Sequence, residues 1–468
     1  MIVSLFVGLG SCTDVLDQNP KDTIGEEIAF EDANDIEAGI LGVYSAVSGS
    51  NLVSIASRAS DEVRRSTENR GQGVQVHNWT YNSSTDEAEG LWINNYVIIN
   101  RANRVLAAID RLKSSGAIGA NQVDQQEGEA YALRAMAHFD LWRIFSTRYS
   151  GGDLGIAYVT LDDTDGNGRP DGLDPYALPS RRTSSEVFSL LEADLQMALN
   201  LLPQGLISSA SRFDRAAVLA LSARVALYKE DWAAAENFAS QALSLRPLES
   251  RIQYPSIWTD NTTSGVILKM TRVTGEGRIG TLFRDLNGDV FFHPSYDWLS
   301  RIDGENDIRY NASVTIDPSR QGGDPQEELV GKYDGKQGLQ YLNDVKILRS
   351  AEMILIRAEA RARKSNPDIV GANNDLSTLR TNRIANYIPN VYTNPDELLS
   401  QIILERRIEL AFEGHRWFDL KRNGLGIVRS GEDCHINCSL NAGDYRFAFP
   451  VPQSEIFAND NMEQNDEY

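Results

Sequence analysis

The chain has 468 residues, enough for two or three ordinary domains or for one large helical array. Its 45 basic and 66 acidic residues give a formal net charge of −21, a field that repels phosphate backbones, so we expect no nucleic-acid partner. With three cysteines, a scaffold built on disulfides is excluded and a catalytic zinc cluster built on cysteines is disfavoured.

The first residues form a short apolar run, Ile2 to Leu9, that leads into Ser11 and Cys12. Small residues before a cysteine at the end of such a run resemble the lipobox of bacterial lipoproteins, in which the cysteine is acylated and anchors the protein to a membrane. We therefore expect a signal peptide over 1–11, lipidation at Cys12 and a polar tether over 12–30. No Lys or Arg precedes Cys12, which departs from the usual signal peptide. The alternative is a buried free cysteine.

From residue 31 onward, apolar residues recur at helical spacing in long segments separated by short breaks. The spacing predicts helices over 33–45, 91–112, 122–145, 183–202, 215–229, 232–245, 345–364 and 372–384, and one opening at Pro395. Thr183 and Glu186 have the spacing of a capping box. The helix pairs keep no strict period, so we predict one mainly α-helical domain over 31–468, a degenerate tetratricopeptide-like scaffold with long irregular loops.

An acidic loop after the third predicted long helix, DTDGNGRPDGLD over 163–174, is similar to an EF-hand calcium loop. Its glycine at the sixth position and its oxygen-bearing side chains have the spacing of such a loop. The predicted calcium ligands are Asp163, Asp165, Asn167, the carbonyl of Arg169, Asp171 and Asp174. Asp174 stands where a glutamate is usual, and no helix is predicted before the loop. A solvated acidic turn is therefore the alternative.

Residues 401–424, QIILERRIELAFEGHRWFDLKRNG, predict one helix ended by Gly414 and a short second helix closed by Gly424. The charged residues are dense, and the pairs Arg406/Glu409 and Glu413/Arg416 have i,i+3 spacing. An ion-pair network that joins two helices is favoured over the alternative, a carboxylate site for acid/base chemistry.

The same stretch resembles the signature of the SusD/RagB family of outer-membrane nutrient-binding lipoproteins, ER..EL..EG.RW.DL.R.G. The matching residues are Glu405, Arg406, Glu409, Leu410, Glu413, Gly414, Arg416, Trp417, Asp419, Leu420, Arg422 and Gly424. Residues 131–145, 349–360 and 447–465 resemble three further family patterns, "RA..yf.L...fg", "lR.aE..Li.AEA" and "f.PiPqsEi..N....QN". The similarity runs from residue 12 to residue 465, and on it the chain is identified as a member of this family.

The resemblance implies a SusD-like fold, with an N-terminal helical-repeat part over 31–245 and a C-terminal SusD/RagB part over 246–468. It also implies a lipid-anchored protein on the cell surface that captures oligosaccharides and passes them to a SusC-like TonB-dependent transporter of the outer membrane. Peptides or other nutrients are the alternative ligands, and a surface glycosidase or an interaction scaffold is a more remote reading. Because no nucleophile elbow, HExxH helix or phosphate loop occurs, we expect no enzyme and no catalytic cofactor.

Two loop regions, 57–81 and 284–310, mix aromatic and polar side chains, the combination that stacks on sugar rings and binds their hydroxyl groups. The resemblance implies that these loops come together on the exposed face. The candidate ligand residues are Asp61, Arg64, Arg65, Asn69, Arg70, Trp79 and Tyr81 in the first region and Tyr296, Trp298 and Arg301 in the second. Trp79 and Trp298 are the predicted stacking residues.

Cys434 and Cys438 lie four residues apart in the segment CHINC. If Cys12 is acylated, these two make an even pair in an oxidising compartment, and we predict a disulfide between them. A reduced pair, or a metal site that includes His435, is the alternative.

Overall fold

The computed structural model describes residues 26–164, 166–206, 209–320 and 327–468. The predicted signal peptide, the lipidation site Cys12 and most of the tether lie outside these ranges, as does Asp165. No helix in the described ranges combines the length and the apolar composition needed to cross a membrane.

Helices build the first half of the chain. In the described ranges they are α1 (Glu26–Ala29), α2 (Ala33–Tyr44), α3 (Ser50–Ala59), α4 (Val74–His77), α5 (Asp86–Ser115), α6 (Asp124–Phe145), α7 (Ser184–Leu201), α8 (Arg215–Lys229) and α9 (Trp232–Leu245). The helices predicted from the spacing are confirmed. The prediction for α5 starts too late, because Asp86, Glu87 and Glu89 extend the helix at its N-terminus, where negative charge is stabilising.

The start of α7 shows how local sequence sets a boundary. The Thr183 hydroxyl accepts a hydrogen bond from the Glu186 backbone N–H at 3.3 Å, and the Glu186 carboxylate accepts one from the Thr183 N–H at 2.9 Å. This reciprocal pair satisfies two amides that the first turn leaves without helical partners. The predicted capping box is confirmed.

The second half mixes helices with short strands. Its helices are α10 (Tyr254–Trp258), α11 (Tyr296–Leu299), α12 (Ile308–Ser313), α13 (Ser350–Arg363), α14 (Ile369–Thr381), α15 (Pro395–Glu409), α16 (Arg416–Arg422) and α17 (Gln453–Ala458). The helix predicted over 345–364 begins at Ser350, five residues later than predicted. Val345 to Arg349 instead form a mostly buried strand that pairs with another strand.

The strands form two-stranded antiparallel sheets that join distant parts of the chain. β1 (Val63–Arg65) pairs with β3 (Phe292–Pro294), β2 (Val266–Met270) with β8 (Val345–Arg349), β4 (Val314–Ile316) with β5 (Glu328–Val330), β6 (Gly335–Lys336) with β7 (Leu339–Gln340), and β9 (Ile427–Val428) with β10 (Ser439–Leu440).

Successive helices pack side by side: α5 on α6, α6 on α7, α8 on α9, and α13 on α9, α14 and α15. Small residues allow close approach at one of these contacts, since Ala235, Ala239 and Ala242 of α9 are fully buried. The main apolar core draws on both halves of the chain, from Ile36 to Met462, and a smaller cluster that includes Leu355, Leu376 and Ile402 lies among α13, α14 and α15. The scaffold is therefore a stack of helices to which loops and small two-stranded sheets are added.

A buried set of ion pairs surrounds the end of α15. We call it the charge core, and its members are Glu405, Glu409, Glu413, Arg309, Lys332, Arg349, Arg380 and Arg383. Glu409 lies 2.8 Å from Arg383 and 3.0 Å from Arg349. Burial alone would raise the pKa of the Glu409 carboxyl, but these two guanidinium groups outweigh it and hold that pKa well below its usual range.

The two predicted i,i+3 ion pairs are wrong. Arg406 pairs with Asp419 at 2.8 Å, and Arg416 pairs with Asp61 at 2.7 Å. The physical reason is burial: a carboxylate or guanidinium removed from water needs several partners, which neighbouring elements supply and a single helix face does not. The interpretation of this stretch as a structural ion-pair network therefore fits the structure better than an acid/base site.

Candidate ligand-binding face

The two loop regions predicted to meet do lie side by side. β1 and β3 pair antiparallel, with Arg64 opposite His293, and the Ser66 N–H donates to the Phe291 carbonyl at 3.1 Å just beyond the sheet. The Asn69 side-chain amide also donates to the Phe291 carbonyl, at 3.1 Å. Asn69 thus fastens one loop to the other.

A third segment, which we did not predict as part of this face, completes it. The hairpin of β9 and β10 carries a disulfide between Cys434 and Cys438 at its turn. The Asp433 carboxylate accepts hydrogen bonds from the backbone N–H groups of Tyr296 (2.7 Å) and Asp297 (2.9 Å). The hairpin therefore holds the start of α11 in place. The CHINC segment was the one sequence signal for it, and nothing in that segment indicates which loop it contacts.

Tyr296 is the aromatic residue of this face that reaches solvent, with 39% of its surface exposed. The buried Arg64 guanidinium lies over its ring, 4.7 Å from the ring centroid. A cation against an aromatic ring is attractive, more so when the cation is removed from water. The ring is thus supported from the protein side while part of it stays open, a suitable surface for the C–H face of a sugar. We call this region the Tyr296 face.

A chain of ion pairs connects the Tyr296 face to the interior. It runs from Arg416 to Asp61 (2.7 Å), from Asp61 to Arg407 (3.2 Å), from Arg407 to Asp297 (2.6 Å) and from Asp297 to Arg301 (2.7 Å). Burial would raise the pKa of the Asp61 carboxyl, but Arg416 and Arg407 hold it well below its usual range. Asp61 therefore supports the face from below. Asp297 and Arg301 are partly exposed beside Tyr296.

Two further candidates lie on the border of the face. Arg70 is largely exposed and forms an ion pair with Asp289 of the other loop. Arg65 is half-buried at the end of β1, and its carbonyl lies 3.3 Å from the His435 ring nitrogen Nε2 in the disulfide turn. These side chains place both positive and negative groups around Tyr296.

The predicted stacking role of Trp79 and Trp298 is wrong, and the candidate ligand residue Tyr81 does not reach solvent either. Trp79 is 2% exposed and Trp298 is fully buried, packed edge-on against Phe412 with 5.1 Å between the ring centroids. Tyr81 is buried as well and stacks on Phe449 at 4.2 Å. Large rings gain most when they leave water entirely, and here the core accommodates all three.

The predicted calcium loop is closed by its own hydrogen bonds. The Asp163 carboxylate accepts from the backbone N–H groups of Gly166 (2.7 Å) and Gly168 (2.8 Å), and the Asn167 amide donates to Asp174 at 2.8 Å. No group of three or more His, Cys, Asp or Glu side chains among the described residues is placed to hold a metal ion, and Asp165 lies outside them. Calcium binding at this loop stays a prediction.

Comparison with known proteins places the fold. A SusD superfamily protein from Bacteroides thetaiotaomicron has a TM-score of 0.81 with 24% identity, covering 93% of this chain and 100% of that one. A structure described as a laminarin binding SusD-like protein has a TM-score of 0.71 with 20% identity, covering 94% and 100%. The predicted mainly α-helical, SusD-like fold is confirmed.

Sequence comparison adds the family. A model described as "SusD family" matches residues 325–468, and a model described as "Starch-binding associating with outer membrane" matches residues 14–227. SusD-like protein P38 of Formosa agariphila is 25% identical over the whole of this chain and 98% of its own length. With both ends of the chain matched, the protein belongs to the SusD/RagB family, carbohydrate-binding proteins associated with the outer membrane. The division at residue 245 stays a prediction.

Proposed function

We propose that this protein is a lipid-anchored receptor on the cell surface that captures an oligosaccharide on the Tyr296 face and delivers it to a SusC-like TonB-dependent transporter. The observation that carries the proposal is Tyr296 itself, an exposed ring backed by Arg64 where three loop segments meet. The description of one structural neighbour as laminarin binding supports a glycan ligand.

Capture on this face needs binding and no bond cleavage. One sugar ring stacks its C–H face on Tyr296, and its hydroxyl groups exchange hydrogen bonds with Asp297 and Arg301 beside the ring. Both charged side chains already form ion pairs, which fixes their positions before the ligand arrives and lowers the entropic cost of binding. Arg65 and Arg70 extend the polar border.

The anchor and the transporter complete the proposal. Acylation at Cys12 would hold the receptor at the membrane, where the local concentration of captured glycan near the transporter is high, so a modest intrinsic affinity is sufficient. Co-purification of a TonB-dependent transporter with the tagged receptor from native membranes supports this arrangement. A receptor recovered without any such transporter contradicts it.

The binding test compares two neighbouring aromatic residues. We expect the full chain in detergent to bind one member of a panel of oligosaccharides that includes laminarin fragments, as measured by calorimetry. Tyr296→Ala should weaken that binding at least tenfold and lower the free energy of unfolding by about 1–2 kcal/mol, because the ring is partly exposed but covers the buried Arg64 guanidinium. Trp298→Ala, the matched control, should cost about 3–5 kcal/mol of stability.

The pair of variants separates the outcomes. Equal affinity of the wild type and Tyr296→Ala would show that the ligand binds elsewhere. Absence of binding to every glycan in the panel would count against a sugar ligand and favour the peptide alternative, which the same protein can test with a peptide library.

A further inference from the structure

A cleft lies at the opposite end of α16 from the Tyr296 face. It has a volume of about 830 Å³ and lies between the loop after α6, the end of α8, the end of α16 and the segment after β10. Clefts of about 300–1,000 Å³ are typical of small-molecule sites. Arg416, at the start of α16, pairs with Asp61 below the Tyr296 face, whereas Lys421, near the end of the same helix, lines this cleft.

One part of the cleft is aromatic and apolar. Tyr445 is 40% exposed, and its ring packs edge-on against Tyr468 with 4.9 Å between centroids. Phe447, also in the lining, stacks on the buried Trp417 at 4.6 Å. The cleft thus has an exposed ring held in place by a second ring and a wall anchored in the core.

The other part of the cleft is charged, and its basic side chains differ in whether a carboxylate lies beside them. Arg148 forms an ion pair with Glu230 at 2.6 Å, and Lys229 forms one with Glu192 at 2.5 Å. Lys421 is only 7% exposed; its Nζ donates to the Arg143 carbonyl at 2.7 Å, and within the described residues no carboxylate pairs with it. A buried ammonium without an anion is costly, so this position favours an anionic partner.

The protonation of Lys421 agrees with this geometry. Burial, together with the neighbouring Arg143 guanidinium, lowers the pKa of the Lys421 ammonium to about 7. A carboxylate bound at Nζ would favour the charged form and offset both effects.

We propose that this cleft is a second carbohydrate site that takes an acidic sugar, with a uronate carboxylate on Lys421 and a sugar ring on Tyr445. The choice of a sugar as ligand rests on the proposed function, whereas the need for an anion rests on Lys421 alone. The net charge of −21 does not prevent this, because salt screens charges beyond about 8 Å at physiological ionic strength. Of the nearby carboxylates, Asp444 pairs with Arg446 at 2.8 Å, and Asp153 is exposed at the rim.

The test uses the full chain and pairs of ligands that have the same sugar rings but differ in charge. Trimers of galacturonate, glucuronate and mannuronate are titrated by calorimetry beside their methyl esters, which keep the rings and remove the charge. We expect one acid to bind at least tenfold more tightly than its ester. Lys421→Met should bring the acid down to the affinity of the ester, and Lys421→Arg should restore at least part of the difference.

Two further variants locate the site and guard against misfolding. Tyr445→Ala changes an exposed ring and should weaken both the acid and the ester, whereas Tyr296→Ala should leave uronate binding unchanged. The proposal is overturned if acid and ester bind equally, if no uronate binds, or if uronate binding depends on Tyr296 and not on Lys421. In those cases, a neutral glycan that still binds through Tyr296 leaves the proposed function intact. Absence of binding to every glycan contradicts both the proposed function and the acidic-sugar site.

Discussion

The charge core and the Tyr296 face are made of the same side chains, arginines and carboxylates, yet they differ in how those side chains meet water. In the charge core Glu409 is fully buried and touches Arg349 and Arg383. On the face Asp297 and Arg301 are about one third exposed. Enclosed pairs hold distant segments in one arrangement, whereas half-open pairs keep hydrogen-bonding capacity for a ligand. Burial separates the structural role from the recognition role.

The largest effect should come from breaking the charge core. Glu409→Ala leaves the guanidinium groups of Arg349 and Arg383 buried without their carboxylate, and removing one partner of a buried ion pair costs about 3–5 kcal/mol. Urea denaturation measures the free energy of unfolding. Glu397→Ala is the control on the same helix, where loss of an exposed carboxylate from the first turn should cost no more than about 1 kcal/mol. Equal losses for both variants would contradict the division between enclosed and open pairs.

The second-largest expected effect is a dependence of the free energy of unfolding on pH, and the residue responsible lies between the two regions. Burial raises the pKa of the Glu62 carboxyl from 4.5 to about 8, although it accepts hydrogen bonds from the Ser57 hydroxyl and the Phe412 N–H. The folded state therefore keeps a proton that the unfolded chain loses above pH 4.5, so this group lowers the free energy of unfolding as pH rises to about 8. From pH 5 to pH 8 the loss should be about 3–4 kcal/mol, because each pH unit contributes up to 1.36 kcal/mol and titration is incomplete near both pKa values.

Glu62→Gln should flatten that dependence, because an amide keeps the hydrogen-bonding capacity of the acid and does not ionise. Denaturation at pH 5, 6.5 and 8 gives the two curves. Parallel curves for the wild type and Glu62→Gln would show that the carboxyl titrates normally.

A smaller effect should be confined to the face. Replacing Cys434 and Cys438 by serine opens a loop of five residues, and the chain-entropy model then predicts a loss of about 2 kcal/mol. Because Asp433 of the same turn holds the start of α11, glycan affinity should fall with stability in this double variant. Calorimetry beside urea denaturation checks both quantities. Unchanged affinity would mean that the hairpin does not position Tyr296.

The smallest effect concerns a loop that belongs to neither region. If calcium binds at 163–174, a concentration ten times Kd should add about 1.4 kcal/mol to the free energy of unfolding. The measurement is thermal unfolding in calcium against chelator, with Asp163→Ala as the variant that should lose the response. Identical melting temperatures in both conditions would remove the ion and leave a solvated acidic turn.

The sequence predicted the helices well because their signals are local. Periodic apolar residues and the Thr183 capping box each act within a few residues. The acidic first turn of α5 is a local signal of the same kind, but the predicted helix left it out. The strand at Val345 to Arg349 was not predicted, because its partner β2 lies some eighty residues earlier and a short apolar run is compatible with a helix or a strand. Local sequence signals therefore predict the helical scaffold but not the pairing of strands from distant parts of the chain.

The face was predictable in outline and not in detail. Both loop regions were identified from their mixture of aromatic and polar residues, but composition cannot distinguish Tyr296, which reaches solvent, from Trp298 two residues later, which does not. One turn of α11 decides between them, since the two positions point in different directions. Asp433 is far away in sequence, and its contact with the start of α11 follows from tertiary packing alone.

The ion pair between Asp61 and Arg416 spans 355 residues of sequence, and the charge core gathers its partners from residues 309 to 413. The pair of Asp61 and Arg416 cannot form until almost the whole chain is available, whereas the charge core needs only the segment from residue 309 to residue 413. Contacts of very long range slow folding because loop closure precedes any gain. We therefore expect the ion pair between Asp61 and Arg416 to form late in folding, and both side chains stay hydrated until then.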